Sequence, residues 1–155
     1  MKKLPVLERD LLFAMTNQMQ DIAHYLDLET GDVIPVFGYN RSEILSRVKE
    51  NPGRFIRLVP QTAGQGIEMM QRFIETVKRK DLRARLSMAI KEGKVFSKFR
   101  TVLVNFPDEF KRWQRFRVMF ITANLRERLR QNGIELELIP DSGVIPFEIQ
   151  TEDED

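Results

Sequence analysis

Between Pro107 and the Asn132-Gly133 pair the chain carries no further helix breaker, and a sequence holding such a stretch must build around one long helix, Pro107–Gln131. At about 100° per residue, Arg112, Arg115, Arg126 and Arg130 fall within a sector of about 60°, whereas Trp113, Phe116 and Phe120 share another. The crowd of arginines and aromatics therefore separates into two faces. Base stacking needs exposed aromatics beside the cations, so this separation fits an aromatic core and a basic outer stripe better. The stripe itself suits phosphates, because the guanidinium fork matches their geometry without aromatic help; Lys98 and Arg100 extend it on the N-terminal side.

Charge along the chain sharpens that picture. The 155 residues carry a net +2, but residues 91–130 hold eleven Lys and Arg against four Asp and Glu, a net +7. Residues 131–155 hold eight acids and no base, a net −8. A basic helical segment followed by an acidic end signals an anion-binding surface, a self-shielding tail or two solvated faces.

Periodicity supplies the remaining elements. Residues 6–19 place Leu7, Leu11, Leu12, Met15 and Met19 at helical spacing and predict a first helix. From Ile22 the period falls to two, Thr30-Gly31 marks a turn, and the chain returns at residues 33–37, predicting a β-hairpin over 22–37. Pro35 lacks an N–H, which sends the returning strand to a sheet edge. A short helix from Ser42, a strand over 54–59 and the flexible Gln61-Thr62-Ala63-Gly64-Gln65-Gly66 come next.

A helix then buries Ile67, Met70, Phe73, Ile74 and Val77, with Glu68/Arg72 and Glu75/Arg79 as outer pairs. Asp81 is placed to cap a further helix that Gly93 stops, and Phe96, Phe99, Leu103 and Phe106 step along another before the long one. Residues 134–139 alternate as a candidate strand, and 151–155 form an acidic tail. The expected fold is α+β, a helix-rich single domain over 1–150 in which a small sheet from 22–37, 54–59 and 134–139 packs on helices.

Few groups carry chemistry. Without cysteine there are no disulfides, thiolate nucleophiles or cysteine zinc sites. His24 is the only histidine and lies on the apolar face of its strand, where a core or rim role outweighs catalysis. Asp27, Glu29 and Asp32 cluster at the hairpin, and a two-residue loop would set Glu29 across from Asp32, an arrangement that water or a hard cation relieves. They form only a weak metal candidate, since their spacing does not match an EF-hand. Gly64-Gln65-Gly66 precedes a helix but lacks the Lys-Ser/Thr of a P-loop, which leaves a mobile turn. No catalytic residue and no cofactor is expected, and the chain leans away from an enzyme.

Several segments together resemble a family of small bacterial proteins with no established activity. The resemblance rests on Tyr25-Leu26-Asp27-Leu28-Glu29-Thr30-Gly31, on Phe73-Ile74-Glu75-Thr76-Val77, and on Gly93, Phe96, Phe99 and Val102-Leu103. Pro107, Trp113, Phe116 and Asn132-Gly133-Ile134 complete it, so that it spans residues 25–135. Val95 and Ser97 depart from the family pattern of a small and a basic residue, which implies a weaker basic surface there. The resemblance implies a shared fold and a bacterial, cytoplasmic setting, and it assigns no catalytic group.

No apolar run approaches the roughly 18 residues that span a bilayer, so no membrane is expected as a partner. Three functional readings follow: a non-enzymatic binding or regulatory module that engages a protein partner, which leads; nucleic-acid binding through Lys98, Arg100, Arg112, Arg115, Arg126 and Arg130; and a carboxylate- or metal-dependent enzyme using Asp27, Glu29, Asp32 or Glu75.

Overall fold

A computed structural model describes residues 1–140 except 18, 20 and 92. The expected acidic tail at 151–155 lies outside the described residues. In chain order the elements are β1 (Lys2–Leu7), α1 (Glu8–Thr16), β2 (Ala23–Asp27), β3 (Val33–Val36), α2 (Arg41–Glu50), β4 (Phe55–Leu58), α3 (Ala63–Glu75), α4 (Lys80–Ala89), α5 (Val95–Leu103), α6 (Pro107–Gln131) and β5 (Ile134–Ile139). The α+β expectation holds, with helices predominating. No helix among the described residues is long and apolar enough to cross a membrane.

Two compact units emerge, one from residues 1–61 with 121–140 and the other from residues 62–120. The first holds the five strands found among the described residues, in two sheets, β3-β2-β4 and β1-β5. The predicted first helix starts late, because residues 2–7 are extended and alternate: Leu4 and Val6 are buried while Lys3, Pro5 and Leu7 face outward. Their partner is β5, parallel, with Lys2 opposite Ile134 and Leu7 opposite Ile139. The strand expected at 134–139 thus exists, but it leaves the hairpin sheet to pair with β1. The core here gathers Leu4, Val6, Leu11, Ala14, Leu26, Val36, Leu58, Leu125 and Leu129.

The hairpin turn is longer than expected. Leu26 pairs with Val33 and the Asp27 N–H donates to the Asp32 carbonyl (2.9 Å), so residues 28–31 form the loop and Asp27, not Glu29, stands across from Asp32. Gly31 closes the loop at φ +84°, where its N–H donates to the Asp27 carbonyl (2.8 Å). A Cβ on Gly31 would lie 1.9 Å from the Pro5 carbonyl oxygen, so only glycine lets the loop meet β1. Lys2 Nζ adds a hydrogen bond to the Leu28 carbonyl (3.1 Å).

The second unit is helical around an aromatic cluster. Phe73 of α3, Phe99 of α5 and Trp113 of α6 meet with ring centroids 5.1 Å (Phe73–Trp113) and 4.8 Å (Phe99–Trp113) apart, and Phe116 stands 5.4 Å from Phe73. This is the aromatic face that the long helix predicts. The segment expected to be a mobile turn is instead the first turn of α3. Thr62 Oγ1 accepts the Gln65 N–H (3.1 Å) while Gln65 Oε1 accepts the Thr62 N–H (2.8 Å), a reciprocal cap that pulls Gly64 and Gly66 into the helix.

Three smaller expectations change. Glu68/Arg72 forms (3.1 Å), but α3 stops at Glu75, and Arg79 pairs with Asp81 at 2.8 Å rather than with Glu75. Asp81 therefore sits inside the first turn of α4 and is not its cap. Helix α4 ends at Ala89, before the expected stop at Gly93, and Lys94 ahead of α5 is left-handed (φ 60°).

Candidate functional site

The acidic hairpin is the first place the sequence points to, and two of its anions, Asp27 and Glu29, are already engaged. Strand β4 lies beside β2 with Phe55 opposite Asp27, which carries Arg54 to the hairpin's end. Arg54 Nε and Nη2 donate to Asp27 Oδ1 (3.0 Å) and Oδ2 (2.8 Å), a bidentate fork, and Nη1 lies 3.4 Å from Glu29 Oε1. The Glu29 N–H also donates to Asp27 Oδ1 (2.9 Å). The Asp27 side chain is 2% exposed. The Arg54 fork, opposed in part by burial, lowers the Asp27 pKa from 3.8 to about 2. Asp32 is exposed and stands apart from this fork. Sequence reasoning missed Arg54, because only the β2–β4 pairing brings it near.

His24 is buried on β2, with its ring edge-on to Phe13 at 5.9 Å. Burial pushes its pKa below the usual histidine value, which keeps it neutral near pH 7. At the start of α3, the Gln65 N–H is held by Thr62 Oγ1 and the Gly66 N–H by the Thr62 carbonyl (3.0 Å). Two of the N–H groups that would face a phosphate there are therefore in use.

The basic stripe of α6 is divided between the two units, with Arg112 and Arg115 in the helical one and Arg126 and Arg130 in the other. Arg112 is a strap. Its Nε and Nη2 donate to Glu109 Oε2 and Oε1 (both 2.8 Å), its Nη1 donates to Thr76 Oγ1 (2.7 Å), and its guanidinium stands 4.5 Å over the Phe73 ring. Glu109 is held below the usual glutamate pKa by that bond. Arg126 donates to Thr122 Oγ1 (3.1 Å) and reaches the Leu136 carbonyl of β5 at 3.5 Å. Arg130 pairs with Glu127 (3.1 Å), and Arg115 is exposed.

Lys98 and Arg100 lie on α5, and Lys98 borders a feature absent from the sequence reading. A shallow open hollow of about 370 Å³ between α4 and α5 is lined by Arg85, Met88, Ala89, Lys98, Thr101 and Val102. Met88 is 59% exposed there and gives the hollow an apolar surface open to water. Arg85 also stands 6.0 Å over the Phe106 ring. The surrounding stretch, residues 78–100, holds nine Lys and Arg against two Asp and Glu, a net +7. That density was open to view in the sequence, but a charge tally starting at residue 91 cuts it in two.

Comparison with known proteins places the chain in a family. Residues 3–144 match the profile of an uncharacterised protein family, UPF0158, and the chain belongs to it. A relative in Pseudomonas aeruginosa, UPF0158 protein PA5073, is 28% identical over 127 residues, covering 81% of this chain and 76% of the relative. No solved structure matches the chain at a significant level.

Proposed function

We propose, from the premise that the chain is a UPF0158 protein, that it is a non-enzymatic binding module which docks a segment of a partner protein on the hollow between α4 and α5. The observation that carries this reading is the hollow's composition. Met88, Ala89 and Val102 offer an apolar floor, and Arg85 and Lys98 supply cations at its rim. Such a surface suits an amphipathic helix or turn with an apolar stripe and acidic flanks, the apolar contact giving affinity and the charges orientation. Carboxylate chemistry at the hairpin is the weaker reading, since Asp27 and Glu29 are committed to Arg54.

The test is affinity capture of the tagged full chain from its own cells, with and without nuclease, beside Met88→Glu. The expected outcome is a nuclease-resistant protein retained by the native chain and lost from Met88→Glu, while Arg130→Ala retains it. Equal retention by Met88→Glu sinks the assignment to this hollow.

A second reading, phosphate-backbone binding, draws on the exposure of Lys78, Lys80, Lys91, Lys94 and Arg115. It predicts a gel-shift affinity that falls steeply with salt, with a slope reduced by about one for each phosphate-contacting cation removed. Arg112 is the wrong residue for that experiment, because its removal breaks the strap to Glu109 and Thr76.

A further inference from the structure

The three-stranded sheet ends on β4, whose far edge pairs with no other strand among the described residues. In an antiparallel ladder, alternate residues turn their N–H and C=O toward opposite neighbours. The Leu28 N–H donates to the Arg54 carbonyl (2.8 Å), and the register continues through Leu26 opposite Ile56 and His24 opposite Leu58. The backbones of Arg54, Ile56 and Leu58 therefore face β2, and those of Phe55 and Arg57 face the open edge.

That edge is cationic. Arg57 is exposed, and the guanidiniums of Arg47 and Arg54 stand 5.6 and 5.2 Å from the centroid of the Phe55 ring. Among the described residues only Arg54 of these three arginines is bonded to carboxylates, those of Asp27 and Glu29. Exposed Val59 extends the same edge with an apolar position.

We propose that the outer edge of β4 accepts an extended, acidic segment of a partner protein as an added strand, with its carboxylates beside Arg57 and Arg47. The backbone of Phe55 and Arg57 supplies the rungs, and the arginines select the occupant by charge. A second copy of this chain fits poorly, because joining two β4 edges brings both sets of Arg47 and Arg57 together, and pairing centred on Arg57 sets like charges directly opposite. The surface is separate from the hollow between α4 and α5 and stands or falls independently of it.

The experiment uses the full chain and two capped nonapeptides, one alternating threonine with glutamate and the other threonine with lysine. Amide hydrogen exchange is followed residue by residue. The glutamate peptide is expected to slow exchange at Phe55 and Arg57 by about ten-fold or more, with Ile56 and Leu58, already bonded to β2, unchanged. The lysine peptide is expected to do nothing.

Arg57→Pro removes an outward N–H that the β2 ladder does not use, and it should abolish the protection at Phe55 while Leu26 stays protected. Arg57→Glu, which keeps the N–H, should reverse the preference between the peptides, and Met88→Glu should change neither result. Three outcomes overturn the proposal: no protection at millimolar glutamate peptide, equal protection by both peptides, or a dimer that protects Phe55 and Arg57 without peptide.

Discussion

The acidic corner of the hairpin and the basic stripe of α6 both present themselves in the sequence as sites, and in both part of the charge is turned onto an opposite charge of the same chain, Asp27 and Glu29 onto Arg54, Arg112 onto Glu109 and Arg130 onto Glu127. They differ in depth and reach. Asp27 is 2% exposed and meets Arg54 across 27 residues, whereas Arg112 and Glu109 are three residues apart on one helix and 35% and 27% exposed. A buried carboxylate is destabilising without its cation, while a half-exposed one turns to water. The hairpin pair should therefore hold its fold together, and the helix pair should only stiffen it.

The largest effect that would break this comparison lies beside the hairpin pair. Gly31→Ala adds a Cβ against the Pro5 carbonyl at a positive φ and should destabilise by about 3–4 kcal/mol, read from urea unfolding. Next, Arg54→Met strands Asp27 and should lower Tm by about 8–10 °C at pH 7, with a smaller loss near pH 3 where the stranded carboxyl takes a proton.

The native protein supplies the same test through pH. Asp27 titrates at about 2 against an ordinary 3.8, so the unfolded chain binds more protons across that window. Its stabilisation is complete above about pH 5 and is lost as pH falls through about 2, a change of about 1–2 kcal/mol once screening on the Arg54 side is discounted. Acid unfolding of Arg54→Met should lack that component.

On the helix, Arg112→Met should lose only about 1 kcal/mol, since Glu109 can turn to solvent. Arg130→Met, at an exposed pair, should leave Tm within about 1 °C of the native value. If Arg112→Met matched Arg54→Met, the contrast between buried and exposed straps would collapse.

The same distinction explains what was legible in the sequence. Local periodicity gave α3, α5, α6 and the hairpin, and the aromatic face of α6 was readable because Trp113 and Phe116 repeat at helical spacing. Strand β1 was missed because its apolar residues, Leu4 and Val6, are too few to announce a period, and its partner lies far along the chain. Arg54 was missed for the same reason. Spacing alone can suggest the Arg112–Glu109 pair, but nothing near Asp27 in sequence names its cation. The hollow between α4 and α5 escaped because it is made by the packing of two helices, each unexceptional alone.

The pairing of β1 with β5 also bears on how the molecule is made. Lys2 meets Ile134, 132 positions later, so β1 leaves the ribosome well before the strand it pairs with. At about 5–20 residues per second, that interval is on the order of 10 s. Throughout it, Leu4 and Val6 must find temporary cover, or a chaperone, before their native neighbour exists. Closing so long a loop adds only slowly to the entropy of folding, but it defers cooperativity until β5 has been made. A chain stalled before β5 would then carry a formed hairpin and an unsealed first strand, the state most exposed to proteolysis and to pairing with the wrong edge.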